Sequence, residues 1–121
     1  MAASDFSVSL KKVGDAAVVY PQGYLNNVAG ESLVQECVTC IEGGTRKIVL
    51  NFKRTDLINS IGISMLLSII EKLLNTGGQL CFTNMNPMLK ETFEMLGLSK
   101  YISIFDDEND ALTYLHMAER S

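Results

Sequence analysis

Strand-like and helix-like apolar patterns alternate along most of the chain, and this alternation restricts the fold more than any other feature of the sequence. Residues 46–52 and 79–83 are short, strongly apolar runs typical of buried strands. Residues 28–42 and 60–76 carry apolar side chains at helical spacing instead. Helices that alternate with strands usually cover the faces of a parallel sheet. We therefore predict an α/β fold in which the later strands run parallel.

The two ends of the chain add to this prediction. Residues 7–12 and 16–21 are predicted to form an antiparallel hairpin that turns at Gly14-Asp15, which makes the sheet mixed. The other predicted elements are a third helix from Asn86-Pro87 to Gly97 with Leu89, Phe93 and Leu96 on its core side, an edge strand over 101–105, and a last helix that starts within 106–110. The expected architecture is a small mixed β-sheet packed with about four α-helices.

The composition narrows the classes of function. With 121 residues, of which 47% are hydrophobic and 20% charged, the chain has the size and balance of one globular domain, which we assign to residues 1–121. The net charge of −4 and the lack of a Lys/Arg-rich run argue against nucleic-acid binding. The first residues do not resemble a signal peptide, and polar side chains interrupt the longest apolar stretch, residues 58–74. We therefore expect a cytoplasmic domain without a membrane span.

The cysteines and the two Gly-Gly pairs have simple structural interpretations. Cys37 and Cys40 match the C-x-x-C spacing, but they lie near the end of a predicted helix, whereas a redox pair needs its first thiol at a helix N-terminus. We expect packed or half-buried thiols. The pairs at 43–44 and 77–78 follow helices and precede strands, which is typical of C-terminal caps and the reverse of a phosphate loop. With a single histidine and no second C-x-x-C, we expect no metal and no cofactor.

The junction between the strand at 46–52 and the helix at 60–76 is the main candidate for function. A short polar loop leads from the strand to Ser60, at the start of the helix. Free backbone N–H groups and the positive end of the helix dipole meet there, and both favour negative charge. A phosphate on Ser60 would be tolerated without unfolding and would change the surface offered to a partner. The pattern indicates a phosphorylation switch, although from spacing alone an ordinary N-cap role for Ser60 is the commoner explanation.

The residues that follow Ser60 have two unusual features. At helical spacing, Ser60 and Ser64 lie on the one polar stripe of an otherwise apolar helix. Ile61 falls inside that stripe, so we expect its side chain, and part of Met65, to contact a partner or to lie under a neighbouring loop. Gly62 costs the helix about 0.5–1 kcal/mol relative to alanine. Such a cost indicates the close approach of another backbone, or of a large group at Ser60.

Taken together, these motifs resemble the signature of the STAS domain family, which includes the anti-sigma factor antagonists. The resemblance begins with the strand and the Asn-Ser-Ile-Gly motif within 47–66. It continues through 77–80 and through 86–98, a helix that ends in a Gly-Leu pair. Residues 23–26 are similar to an upstream loop of the family, and 110–112 also fit its pattern. The resemblance therefore covers nearly the whole chain.

The resemblance implies a regulatory, non-catalytic domain that acts in signal transduction and transcription regulation. In that family the serine matching Ser60 is phosphorylated by a serine kinase that doubles as an anti-sigma factor, and a PP2C-type phosphatase removes the phosphate. The unmodified form binds the kinase and frees the sigma factor, a scheme called partner switching. No nucleic-acid or membrane partner is implied, and weak homodimerisation stays open. The expected partner-binding residues are Asn26, Asn27, Asn59, Ser60, Ile61, Gly62, Ser64 and Met65.

The sequence departs from the family pattern at three carboxylates. Asn26, Asn51 and Asn59 stand where the family usually has aspartate, and Ile61 replaces a second hydroxyl residue. Amides keep hydrogen bonding but remove negative charge, so a kinase would meet a different surface. The alternative function is therefore a scaffold or binding module in a multi-protein signalling assembly, without phosphorylation.

A third hypothesis is a small hydrolase with Ser60 as its nucleophile. The sequence disfavours it, because there is no G-x-S-x-G motif and the only histidine, His116, lies in the last predicted helix. Nucleotide binding has no sequence fingerprint in this chain either.

Overall fold

The predicted hairpin opens the fold. A computed structural model of the protein describes residues 7–120, with side chains over residues 7–116. Strand β1 (Ser7–Val13) pairs antiparallel with residues 16–22 of strand β2 (Ala16–Leu25). Gly14 has a φ of +62°, a left-handed conformation that glycine adopts easily, so the chain reverses there as predicted.

Four more strands and four helices follow the hairpin. They are α1 (Asn27–Glu42), β3 (Lys47–Asn51), β4 (Thr55–Ile58), α2 (Ser60–Asn75), β5 (Gln79–Thr83), α3 (Pro87–Met95), β6 (Ser103–Phe105) and α4 (Glu108–Arg120). The main sheet has the order β1-β2-β3-β5-β6, and within the described residues only β1 and β2 pair antiparallel. The predicted mixed α/β sheet with four helices is therefore confirmed.

Among the described residues, β4 is the one strand that the sequence did not predict. Residues 53–59 were expected to form a polar loop, but Thr55–Ile58 pair in parallel with Gly23–Leu25, the far end of β2. Only Thr55 of the four residues is buried, and its hydroxyl donates to the Pro21 carbonyl at 2.7 Å. A four-residue strand with two exposed side chains has too little apolar alternation to stand out in a sequence. The unusual length of β2 creates the ladder that β4 joins.

The helices divide between the two faces of the sheet. Helices α1, α2 and α3 bury their apolar sides in the larger core, together with Ile48, Leu50 and Phe82 of the sheet. Helix α4 covers the opposite face, where Ala111 and Leu115 pack against the alternate strand residues Val18, Val49 and Cys81. Because side chains alternate between the faces of a strand, this division also determines which polar residues face α2 and which face α4.

The predicted core side of α3 needs one correction. Leu89 and Phe93 are fully buried, but Leu96 is 50% exposed. The helix ends at Met95, and Gly97 has a φ of +74°, so the chain turns away before Leu96 completes the apolar stripe. Leu98, 2% exposed, enters the core from the short 3-10 turn that follows.

The thiols behave as predicted. Cys37 and Cys81 are buried, Cys40 is half-buried, and all three are free. Burial raises the pKa of Cys37 and of Cys81 to about 12, so neither thiol forms the thiolate that redox chemistry requires. Among residues 7–120, no helix is both long enough and apolar enough to span a membrane.

Candidate functional site

Ser60 is the first residue of α2, and it does not cap the helix. The N-cap is Asn59, whose Oδ1 accepts the Gly62 N–H at 2.8 Å, so the simpler interpretation of Ser60 as the N-cap is wrong. The Ser60 side chain is exposed, and none of the described residues is hydrogen-bonded to its hydroxyl. Since capping is already done by the neighbour, the Ser60 hydroxyl is available for modification.

The start of α2 is held against the end of β2. The Asn59 N–H donates to the Leu25 carbonyl at 3.1 Å. Gly62 lies against the same carbonyl, so that a Cβ at position 62 would collide with the Leu25 oxygen and touch Ile58 Cγ1 at 3.0 Å. The sequence analysis offered two reasons for Gly62, and the structure confirms the first of them, which is the close approach of another backbone. Residues 23–25, which the sequence analysis placed in a loop, form the end of β2, and together with the first turn of α2 they make one rigid junction.

Three helices begin at the same edge of the sheet, and each has an asparagine as its N-cap. Asn26 Oδ1 accepts the Ala29 N–H at 3.0 Å, and Asn86 Oδ1 accepts the Leu89 N–H at 2.8 Å, in the same way as Asn59 does. Asn86 Nδ2 also donates to the Asp56 carbonyl at 3.3 Å, which ties α3 to β4. Each helix follows a strand of the parallel part of the sheet, so all three start at the carboxyl edge. None has an acidic residue in its first turn.

Large apolar side chains are exposed around this edge. We call this set the apolar rim: Tyr24, Val28, Leu57, Ile61 and Met88, which are between 44% and 66% exposed. Tyr24 and Leu57 are direct partners in the β2–β4 ladder, and the other three lie in the first turns of α1, α2 and α3. Single exposed apolar residues are ordinary, whereas a group of them at one edge is typical of an interaction surface.

The residues expected to bind a partner meet at this edge, but they are not equally accessible. Asn27, Ser60, Ile61 and Ser64 are exposed, while the caps Asn26 and Asn59 are half-buried and Gly62 is buried. Met65 is half-buried because it packs on α1, where a Cβ at Gly30 would come within 2.6 Å of Met65 Cγ. The sequence analysis did not single out the other members of the apolar rim, which are Tyr24, Val28, Leu57 and Met88. Their grouping depends on β4 and on the placement of three helix starts side by side, neither of which has a local sequence signal.

Asn51, the third amide that replaces a family aspartate, belongs to a different network. Its strand position is on the α4 face, and Asn51 Nδ2 donates to Glu108 Oε1 at 2.9 Å. The Tyr20 hydroxyl donates to the same oxygen at 2.7 Å, and Lys11 Nζ lies 3.1 Å from Glu108 Oε2. An aspartate at position 51 would place a second carboxylate beside Glu108. Asn51 therefore helps to anchor α4 and faces away from the Ser60 helix.

Replacing Glu108 with glutamine tests this network. Burial by itself raises the pKa of the Glu108 carboxyl, but hydrogen bonds from Tyr20 and Asn51 and the contact with Lys11 outweigh it, so the pKa is lowered overall. A lowered pKa stabilises the fold above the unfolded value of about 4.3, and this stabilisation is lost as the pH falls through the folded pKa. Glu108→Gln should lower the free energy of unfolding at neutral pH by about 1 kcal/mol and flatten its decline in acid, as measured by urea denaturation. Asp106→Asn, at an exposed carboxyl outside the network, should change neither.

The hydrolase hypothesis finds no support in the geometry. His116 lies on α4 and, with Val13 and Gly14, lines a cavity beside the hairpin turn. That turn is at the amino end of the parallel strands, whereas Ser60 lies at their carboxyl edge and on the other face of the sheet. Within the described part of the chain, no group of three or more His, Cys, Asp or Glu residues could hold a metal ion.

Comparison with known proteins agrees with this architecture. The STAS domain family matches residues 7–111 of the chain. A Bordetella bronchiseptica protein, BtrV, which is described as a candidate anti-sigma factor antagonist, is 28% identical over 102 residues. This match covers 84% of the present chain and 85% of BtrV.

Solved structures show the same fold at low sequence identity. The crystal structure of a candidate anti-sigma factor antagonist from Thermotoga maritima has a TM-score of 0.84 at 18% identity, and covers 89% of this chain and 93% of that one. SpoIIAA of Bacillus in its phosphorylated form has a TM-score of 0.73 at 23% identity, with 90% and 99% coverage. The unphosphorylated form of the anti-sigma factor antagonist SpoIIAA has a TM-score of 0.74 at 21% identity, with 91% and 98% coverage.

Proposed function

Since the chain belongs to the STAS domain family and is anti-sigma factor antagonist-like, we propose that it works by partner switching, with Ser60 as the phospho-acceptor. The unmodified protein would bind an anti-sigma factor that is also a serine kinase, and a PP2C-type phosphatase would reverse the modification, in the cytoplasm and with residues 1–121 acting as one domain. The observation that carries this proposal is the exposed Ser60 hydroxyl, free of any capping role, at the start of α2. The solved structure of SpoIIAA in a phosphorylated form supports it.

The charge of a phosphate explains how the modification would act. It adds about −1.5 to −2 charges beside the apolar rim, whose neighbours are neutral amides. On the protein's own side, the helix dipole and the N–H groups of the first turn favour that charge. A bound partner would have to desolvate it, which costs binding free energy unless cations compensate. Phosphorylation would therefore release the partner without unfolding the domain.

Two matched serine variants test the identity of the phospho-acceptor. The wild type, Ser60→Ala and Ser64→Ala should be expressed in the native cells, purified, and analysed by intact mass and by peptide mass spectrometry. We expect one phosphate on the wild type and on Ser64→Ala, and none on Ser60→Ala. Ser64 is the suitable control, because it is exposed one turn further along the same helix. A phosphate that persists in Ser60→Ala would place the modification elsewhere and contradict the proposal.

The scaffold function remains the second candidate, because the caps Asn26 and Asn59 are amides where the family usually has aspartate. Binding of Ser60→Asp to a purified partner that co-purifies with the wild type separates the two functions. A switch predicts that affinity falls at least about tenfold, since a fixed charge is introduced at the interface centre. A scaffold predicts equal affinity for wild type and Ser60→Asp, together with an unmodified Ser60 in the native cells.

A further inference from the structure

Two exposed basic side chains lie in the turn between β3 and β4, at the carboxyl end of β3. The chain has a net charge of −4, but the turn between β3 and β4 exposes Lys53 and Arg54 against a single acid, Asp56. Lys90, in the first turn of α3, is paired with an exposed acid and so adds no net charge: its Nζ lies 3.4 Å from the Asp106 carboxylate. Exposed acids follow at Glu31 of α1 and, directly after Lys90, at Glu91 of α3.

The helix ends strengthen this positive potential. Each helix N-terminus carries roughly half a positive charge, which acidic residues in the first turn normally offset. In α1, α2 and α3 no such acid is present, and the N-caps are neutral asparagines. Three uncompensated helix N-termini therefore point to the edge that also carries the apolar rim, Lys53 and Arg54.

From this arrangement we propose that the apolar rim docks a partner segment whose apolar side chains are flanked by carboxylates. Apolar contact with residues such as Ile61 and Leu57 would supply the affinity, and the opposite charges would set the orientation and the association rate. This inference rests on the proposed function, because it names the chemistry of the partner that binds at the same surface.

The direction of the switch agrees with an acidic partner. A phosphate on Ser60 that faced a cationic partner surface would gain charge-assisted hydrogen bonds and tighten the complex. A phosphate that faced carboxylates would replace attraction by repulsion and release the partner. Release on phosphorylation therefore needs a partner surface without cations opposite Ser60.

Single-atom exchanges at the caps provide matched variants. Aspartate caps a helix as well as asparagine does, so Asn26→Asp and Asn59→Asp keep the cap hydrogen bond while each adds one negative charge at the edge. Asn75→Asp makes the same exchange at the opposite end of α2. It changes the net charge equally and leaves the proposed surface untouched.

The experiment is an NMR titration of the unmodified, isotope-labelled protein with two synthetic peptides. One is a helical peptide with leucine and phenylalanine flanked by glutamates, and in the other each glutamate is replaced by lysine. We expect the glutamate peptide to bind more tightly, to shift amide signals at 24–28, 57–62 and 86–89, and to weaken as salt is raised. Asn26→Asp and Asn59→Asp should each reduce its affinity about threefold, whereas Asn75→Asp should match the wild type.

Three results would overturn the proposal: equal affinity for both peptides, preference for the lysine peptide, or shifts that map to another surface. Urea denaturation of each variant shows whether it is folded, and Lys53→Glu provides a second loss-of-binding variant that touches no cap. Because the titration uses no kinase and no phosphate, its outcome is independent of whether Ser60 is modified. If the protein prefers the glutamate peptide but Ser60 is unmodified in cells, this inference stands and the phosphorylation switch is wrong.

Discussion

Phe82→Ala should lower the free energy of unfolding by about 3–5 kcal/mol, a large share of the 5–15 kcal/mol typical of a domain. Phe82 is fully buried at the centre of an aromatic trio, with its ring centroid 5.0 Å from that of Phe52 and 5.4 Å from that of Phe93. Its removal leaves a cavity beside Phe52 and Phe93 that the surrounding side chains fill only in part. Urea denaturation followed by circular dichroism measures the loss as a lower midpoint at an unchanged slope.

Phe105→Ala is the matched control for this substitution. Phe105 lies on the edge strand β6, is half-buried, and packs its ring against Tyr114 at a centroid distance of 5.4 Å. Because solvent can occupy part of the space that it leaves, we expect a smaller loss of about 1–2 kcal/mol. Equal losses for the two variants would contradict the expectation that the full burial of Phe82 determines the size of its effect.

Gly62→Ala should destabilise the protein by about 2 kcal/mol, although alanine is the better helix former. The new Cβ would meet the Leu25 carbonyl oxygen, a backbone atom that is already hydrogen-bonded to the Asn59 N–H and has little freedom to move. Relief requires that the start of α2 shifts away from β2. The substitution should therefore also weaken binding of the glutamate peptide, since the rim residues Ile61 and Tyr24 would separate.

Gly30→Ala distinguishes a collision with backbone from one with a flexible side chain. The Cβ at position 30 would meet Met65 Cγ and Cβ, and methionine has rotamers that can yield. We expect a cost below about 1 kcal/mol there, partly offset by the gain in helix propensity. If Gly62→Ala were as stable as the wild type, the α2 start would be able to move, and the rigid junction described above would be wrong.

Elements whose signals are local were predicted well from the sequence. Strand β5 has the predicted bounds, α1 and α2 lie within one residue of theirs, and the hairpin turns where glycine allows a positive φ. The Asn86-Pro87 start of α3 was also correct, because cap and first-turn preferences act within a few residues. These features depend on backbone conformation and on spacing, which a sequence displays directly.

The errors share a different origin. Strand β4 forms because β2 is ten residues long and its last residues can pair with Thr55–Ile58. The cause therefore lies in a strand that is distant in the sequence. The N-cap of α2 is Asn59, whereas the structural explanation of Ser60 placed the N-cap one residue later, at Ser60 itself. The two amides Asn51 and Asn59 are equivalent in the sequence comparison, yet one binds Glu108 on the α4 face and the other caps the Ser60 helix.

The sequence by itself determined the class of fold and the family resemblance, and it singled out Ser60 as the candidate site, because strand and helix periods and short motifs are properties of neighbouring residues. Only the tertiary structure decided which side chains surround that serine. Three helix N-termini, the β3–β4 turn and the apolar rim come from segments far apart in the chain, and they meet because parallel strands bring their carboxyl ends to one edge. The electrostatic potential at Ser60 is a sum over those neighbours, so it depends on distances in space that no local pattern contains.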